Sequence, residues 1–163
     1  MNEENKTGAF FDLDGTIVAP PSLEMRFAAH LALCGKLRAS AVIRWLATAI
    51  KEGTRGLFIS ADACARLKAF DENKAYLAGV NQEMAQNWVT ASLGDLELYP
   101  DALERLAWHR SQGHAIFLVS GTLGPLARSI ARRLAGNGEI GVAATEPETL
   151  GEHWTGRTHG GAF

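Results

Sequence analysis

Cysteine is scarce in this chain: Cys34 and Cys64 are the only two among 163 residues. They lack the close spacing of a metal-ligand set, and the polar N-terminus carries no signal-peptide pattern. Reduced thiols in a cytoplasmic protein are the expectation. Long hydrophobic runs are also missing. The longest apolar-rich stretch, Ser40 to Ile50, contains Arg44 and is too short to span a bilayer, which argues against a membrane helix. Neither charge is in large excess, with 16 Lys and Arg against 18 Asp and Glu. Basic residues are dispersed except at Arg128, Arg132 and Arg133, so no nucleic-acid or membrane-surface partner is expected. Lysine disappears after Lys74, and no acid follows Glu152. What remains is an ordinary globular composition, 47% hydrophobic and 21% charged. A chain of this length forms one domain plus at most a small appendage and buries roughly 68–70% of its surface.

The stretch that organises the chain is Ala9-Phe10-Phe11-Asp12-Leu13-Asp14-Gly15-Thr16. A short apolar run reads as a buried strand from Thr7 or Gly8 to about Asp14, and it ends on two carboxylates. Burying unpaired charge is costly, so an apolar strand that delivers acids to its carboxyl end is building a site. Pro20-Pro21 then forbids a helix before Ser22, which caps a helix from Leu23 to Cys34 with Gly35 as its stop. Ser40 caps a second helix, with Ile43, Leu46, Ala47 and Ile50 on one face and Gly53 at its end. A third covers Ile59 to Phe70, a fourth Asp71 to about Ala78. Asn81 caps a fifth, whose Ala85, Trp88, Val89 and Leu93 share a face. Residues 17–98 thus read as wholly helical, too long for an ordinary crossover and better taken as an inserted subdomain.

The pattern changes after Leu98-Tyr99-Pro100. Pro100 opens a helix with Leu103, Leu106 and Ala107 on its apolar face and Gly113 as its stop. Ala115 to Val119 is a continuous apolar run, expected to be a strand buried on both faces, and it leads into Ser120-Gly121-Thr122. Pro125 lies early in the next helix, where Leu126, Ile130 and Leu134 form a stripe. Ile140 to Ala144 is a third strand, and Glu146 to Gly160 suggests a hairpin. This order predicts an α/β doubly wound parallel sheet with a helical insert after the first strand. Asp12, Asp14, Ser120, Gly121 and Thr122 would then meet at the carboxyl ends of neighbouring strands.

Those residue types suit phosphoryl chemistry. A carboxylate can attack phosphorus and form an aspartyl-phosphate, splitting one hard hydrolysis into two easier steps. A second acid can protonate the leaving oxygen and later activate water. Two anions facing an anionic phosphate call for a hard cation, and Mg²⁺ fits a few carboxylates plus phosphate oxygens and water. Ser120 offers a hydroxyl, and Gly121 lets a phosphoryl oxygen approach the backbone amides. The bland alternatives are a solvated turn for Asp12 and Asp14 and a helix cap for Ser120. Glu24 and Arg26 lie early in the insert, where a cap could touch substrate, but read rather as a polar helix face. Arg128, Arg132 and Arg133 read as a solvated one, and His153 and His159 as exposed or locally bonded.

Phe11 to Thr16 resembles the first signature of the haloacid dehalogenase superfamily of phosphohydrolases, and Phe117 to Thr122 resembles its second. Tyr99-Pro100, Thr145-Glu146 and Trp154 to Arg157 read like its phosphoserine-phosphatase-like branch, so the resemblance covers nearly the whole chain. It implies a Rossmann-like core from residues 1–16 and 99–163 and a helical cap from residues 17–98. It also implies Asp12 as nucleophile and Mg²⁺ ligand, and Asp14 as general acid/base and metal ligand through its carbonyl. Ser120, Gly121 and Thr122 would hold phosphate, and Gly15 and Thr16 would begin a flexible element. The pattern departs in one respect: no residue can be assigned the third-motif Lys or Arg or the fourth-motif acids. The expected activity is Mg²⁺-dependent hydrolysis of a small phosphorylated metabolite. The alternatives are phosphotransfer by the same chemistry, or a catalytically silent fragment serving as a binding module. Strand one lacks a partner on its far side, so a homodimer or completion by a further C-terminal segment is expected.

Overall fold

The computed structural model describes residues 7–43, 47, 74–136 and 138–159. Its sheet has four strands in the order β1 (Gly8–Phe11), β2 (Ala115–Leu123), β3 (Ile140–Leu150) and β4 (His153–His159). The first three run parallel, and β4 returns antiparallel on β3. The hairpin turns at Gly151, whose φ of 63° is glycine territory. Helix α1 (Leu23–Leu33) follows the first strand, α2 (Gln82–Ser92) comes much later, and α3 (Pro100–Ser111) and α4 (Gly124–Ala135) flank β2 in sequence. Among the described residues no helix is long and apolar enough to cross a membrane.

Local chemistry accounts for most helix boundaries. Ser22 Oγ accepts from the Met25 amide at the start of α1, and Asn81 Oδ1 accepts from the Glu83 and Met84 amides at the start of α2. Pro100 and Pro125 sit in the first turns of α3 and α4, where no amide donor is needed. Phe27 of α1 is fully buried between Trp88 of α2 and Trp154 of β4, with ring centroids 5.1 and 6.1 Å away. One apolar core runs from Leu13 and Leu118 through Leu126 and Ile130 to Phe27, Val89 and Trp154. The long segment between β1 and α3 is tied at its root. Val18 pairs with Leu98, the Ala19 amide donates to the Glu97 carbonyl, and the Tyr99 amide donates to the Ile17 carbonyl.

Several elements depart from the sequence reading. Strand β1 stops at Phe11 instead of near Asp14, because Leu13 O accepts both the Ile17 and Val18 amides and Gly15 takes a φ of 82°. Strand β2 is covered on one face only. Ile116 and Leu118 are buried, whereas Phe117 is 37% exposed and stacks on Phe10, itself 69% exposed, at the end of the described sheet. Ala107 of α3 is exposed; the helix packs through Leu106, with Ala102 and Leu103 half-buried. The described part of the expected Asp71–Ala78 helix is a single 3₁₀ turn, Ala75–Leu77. It ends because the Gly79 amide is taken by the Trp154 carbonyl. Helix begins at Ala39, one residue before the expected cap Ser40. The rest of that helix beyond Ile43, apart from Ala47, and the whole expected Ile59–Phe70 helix lie outside the described residues.

Strand β4 braces the 74–82 segment. Besides the Gly79 bond, the Trp154 amide donates to the Val80 carbonyl and the Gln82 amide to the Glu152 carbonyl. Gly156 allows the close approach. Its φ is 85°, and a Cβ there would lie 3.0 Å from the Ala78 methyl and 3.1 Å from the Ala75 Cα. Gly156→Ala therefore combines a disfavoured conformation with a clash against backbone, and should cost about 1–3 kcal/mol of stability. Chemical denaturation checks this; a wild-type midpoint with an unchanged slope would contradict it.

Candidate active site

The turn after β1 alternates a buried side chain with two acids. Leu13 is wholly buried, while Asp12 before it and Asp14 after it line a cavity of about 650 Å³. Asp12 is exposed, and Thr16 Oγ1 donates to its Oδ2 at 3.4 Å. Asp14 is half-buried, and its Oδ1 accepts the Leu23 amide, the first of α1, at 2.8 Å. Burial raises the Asp14 carboxyl above its usual range, the Leu23 bond opposes that, and the charges of Asp12 and Glu24 raise it further. A carboxyl tuned in this direction is suited to holding and releasing a proton.

The second side of the cavity comes from a bulge in β2. Val119 pairs with Ala143 and Leu123 with Thr145, so β2 advances four residues while β3 advances two. The surplus pushes Ser120, Gly121 and Thr122 out of regular pairing at the strand end, and all three line the same cavity as the acids. Ser120 is buried, and its Oγ accepts the Thr122 amide at 3.2 Å, which leaves its O–H to donate elsewhere. Thr145 Oγ1 donates to the Gly121 carbonyl at 2.9 Å and fixes that peptide. A Cβ on Gly121 would meet nothing within 4 Å, and its φ is not positive. Neither packing nor backbone conformation asks for glycine there, and the space above the backbone is open. The Thr122 hydroxyl is buried and close enough to Asp14 to lower its pKa. Its geometry falls short of a hydrogen bond, so Oγ1 has no partner among the described residues.

Three residues join the site that sequence reasoning left out of it. Glu24, read as part of a polar helix face, lines the cavity at the first turn of α1. Lys74 sits beside it, with Nζ 2.7 Å from both Glu24 carboxylate oxygens, and the Tyr76 hydroxyl donates to Glu24 Oε1. The acid's place one turn into a capped helix was a signal of sorts, but nothing in the sequence announces a partner fifty positions away. Arg26 serves the approach to α1, its guanidinium donating to the carbonyls of Ala19, Pro20 and Pro21. Arg128 is not simply solvated: it forms a bidentate ion pair with Glu146. The Glu146 carboxylate lies where a Cβ on Gly124 would be, so a side chain there would have to push that carboxylate aside. Among the described residues no cluster of three or more His, Cys, Asp and Glu is arranged to hold a metal.

The raised Asp14 pKa has a consequence for stability. The folded state holds this proton to a higher pH than the unfolded state does. Asp14 therefore favours folding at low pH and costs stability as pH rises through its folded pKa. Asn at this position removes the charge and keeps the acceptor for the Leu23 amide. The metal-free Asp14→Asn protein should melt higher than wild type at pH 7, with the gain vanishing at low pH. A lower melting temperature at pH 7, or a pH-independent difference, would contradict this.

A family model for haloacid dehalogenase-like hydrolases matches residues 9–163. No curated protein matches the chain in sequence. Among solved structures it is similar to a Bordetella pertussis Tohama I protein of unknown function. The identity is 24% and the TM-score 0.65, over 96% of this chain and 68% of that one. It is also similar to a phosphoserine phosphatase solved as a phospho-aspartyl intermediate analogue, at 17% identity and TM-score 0.53, over 96% of this chain and 64% of that one. A cytosolic 5′-nucleotidase IIIB bound to cytidine aligns at 15% identity and TM-score 0.59, over 93% of this chain and 53% of its own. The chain thus spans between about half and two thirds of the length of these structures. At such identities the likeness establishes a shared fold. With the family model covering almost every residue, the chain belongs to the haloacid dehalogenase-like hydrolases.

Proposed function

We propose that the protein is a Mg²⁺-dependent phosphomonoesterase working through an aspartyl-phosphate on Asp12. The observation that carries this reading is the convergence of Asp12 and Asp14 with Ser120, Gly121 and Thr122 around one cavity, with unfilled space over Gly121. In this reading residues 17–98 form the cap over the site, and residues 1–16 and 99–163 form the core. The phosphoserine phosphatase to which the chain is similar was solved as a phospho-aspartyl analogue, which supports the same chemistry here.

An Asp12 oxygen attacks phosphorus while the bond to the leaving oxygen breaks. Asp14 gives that oxygen its proton, so the alcohol departs neutral. Asp14, now a carboxylate, takes a proton from water as the water attacks the phosphorus of the aspartyl-phosphate. Asp12 and inorganic phosphate are released. The Ser120 hydroxyl and the Gly121 amide donate to the equatorial phosphoryl oxygens, where charge must be held through both steps. The donor set fits Mg²⁺, which binds through one or two carboxylates and keeps several waters; Asp12 and the Asp14 carbonyl would hold it. When bound, the ion offsets the repulsion between carboxylate and phosphate.

Release of phosphate from phenyl phosphate should require Mg²⁺ and fall by about 10³-fold or more in Asp12→Asn. An unchanged rate in that variant would sink the mechanism. Gly121→Ala is a more selective test. Its stability should equal wild type, since the new methyl meets nothing in the protein. Its kcat/KM should drop about a hundredfold, since the methyl occupies the phosphoryl approach. Full activity in a normally folded Gly121→Ala protein would show that phosphate does not bind over this backbone.

A further inference from the structure

The cavity extends beyond the acids, and its remaining described wall has an unusual composition. Met25, Ala28, Leu37 and Val42 supply apolar surface, and the polar residues among them are Ser22, Glu24, Lys74 and Tyr76. Ser22 Oγ accepts the Met25 amide, and the other three bond to one another. Glu24 receives Lys74 on both oxygens at 2.7 Å and the Tyr76 hydroxyl on one of them. The ion pair is well shielded, with the Lys74 side chain 7% and the Glu24 side chain 15% exposed. Burial and the Glu24 charge push the Tyr76 hydroxyl far above its usual pKa, so it stays a neutral donor.

An internally paired acid and base have consequences for what can lie beside them. Glu24 and Lys74 already cancel one another's charge, so a ligand ammonium or carboxylate placed beside them meets a nearly neutral pair and gains little to offset its own desolvation. Drawing either ion out of the pair toward a ligand would leave the other buried without its partner, which is costly for a shielded pair. An uncharged, mainly apolar group leaves the cluster intact and gains contact with Met25, Ala28, Leu37 and Val42. We infer that the cavity selects phosphomonoesters whose alcohol portion is uncharged and largely apolar, and rejects amino-acid-like ones, with Lys74 setting this specificity by neutralising Glu24. The inference rests on the phosphatase reading for the phosphate end of the ligand, and on the Glu24–Lys74–Tyr76 cluster for the rest. It separates this chain from a phosphoserine-type substrate despite the shared fold.

Binding of phosphonates, which cannot be hydrolysed at the P–C bond by this chemistry, tests the inference without turnover. The probes are butylphosphonate, 3-aminopropylphosphonate and 3-phosphonopropionate, titrated calorimetrically into the full chain with Mg²⁺ present. Butylphosphonate should bind about a hundredfold more tightly than either charged probe. Lys74→Met leaves Glu24 unpaired, and should shift the ratio toward 3-aminopropylphosphonate by about tenfold or more. The double variant Glu24→Gln/Lys74→Met should return the order of affinities to that of wild type. Equal or tighter wild-type binding of 3-aminopropylphosphonate, or no binding of any probe, overturns the inference. So does an unchanged ratio in a folded Lys74→Met protein; if that variant does not fold, the wild-type ratio decides alone. Selective butylphosphonate binding without phosphate release from butyl phosphate would overturn the phosphatase reading and leave the selectivity standing.

Discussion

The site depends first on where Leu13 goes. Its side chain is wholly buried, and its carbonyl accepts two amides from the turn that follows. Those two facts fix the peptide planes on either side and present Asp12 and Asp14 to one cavity. A regular strand would also put residues i and i+2 on one face, but it would hold both carboxylates in the same pleated environment. The turn gives them different ones. Asp12 stays exposed, with a single long contact from Thr16 among the described residues, whereas Asp14 is drawn inward and bonded to the first amide of α1. In the proposed mechanism that asymmetry suits two identical side chains to the roles of attacking group and proton carrier.

The rest of the cavity is held by parts of the chain distant in sequence. The bulge in β2 is anchored to β3 through Thr145 and the Gly121 carbonyl, and the Ser120 hydroxyl closes on the Thr122 amide within it. The Glu24–Lys74–Tyr76 wall is set by α1 on one side. On the other it is set by the 3₁₀ turn that β4 grips through Gly79, Val80 and Gln82. Strand β4 carries no residue that lines the cavity, yet the packing of Trp154 on Phe27 couples it to α1. The Ser120–Thr122 side and the Glu24–Lys74–Tyr76 side of the cavity are therefore held by different parts of the same core.

Much of this was legible in the sequence, because the signals were local. An apolar run ending in Asp12 and Asp14, a second ending in Ser120 and Gly121, and caps at Ser22 and Asn81 each state their structure within a few residues. The parallel sheet followed from the alternation of such runs with helical periods, and the hairpin from the turn-rich stretch after Glu146. Its first strand, however, is the continuation of β3 from the expected Ile140–Ala144 to Leu150. What sequence could not state is what depends on non-local contact. Phe117 looked like the centre of a doubly covered strand, yet its face is open, since coverage depends on which elements lie over it. Glu24 read as a polar helix face and Lys74 only as the last lysine of the chain, and it is the fold, across fifty positions, that makes them an ion pair in a cavity wall. Arg128 looked solvated for the same reason, with Glu146 arriving from another strand. The bulge at Ser120 is likewise a mismatch between two strands, visible in neither alone.

The central claim is that Asp12 carries the phosphoryl group. Its most direct test is to mix the full chain with Mg²⁺ and ³²P-labelled phenyl phosphate, quench rapidly in acid, and map the labelled peptides. The account predicts a transient, acid-stable and base-labile label on Asp12 that decays as phosphate appears. Phosphate release with no label on the protein, or with the label on another residue, would contradict it.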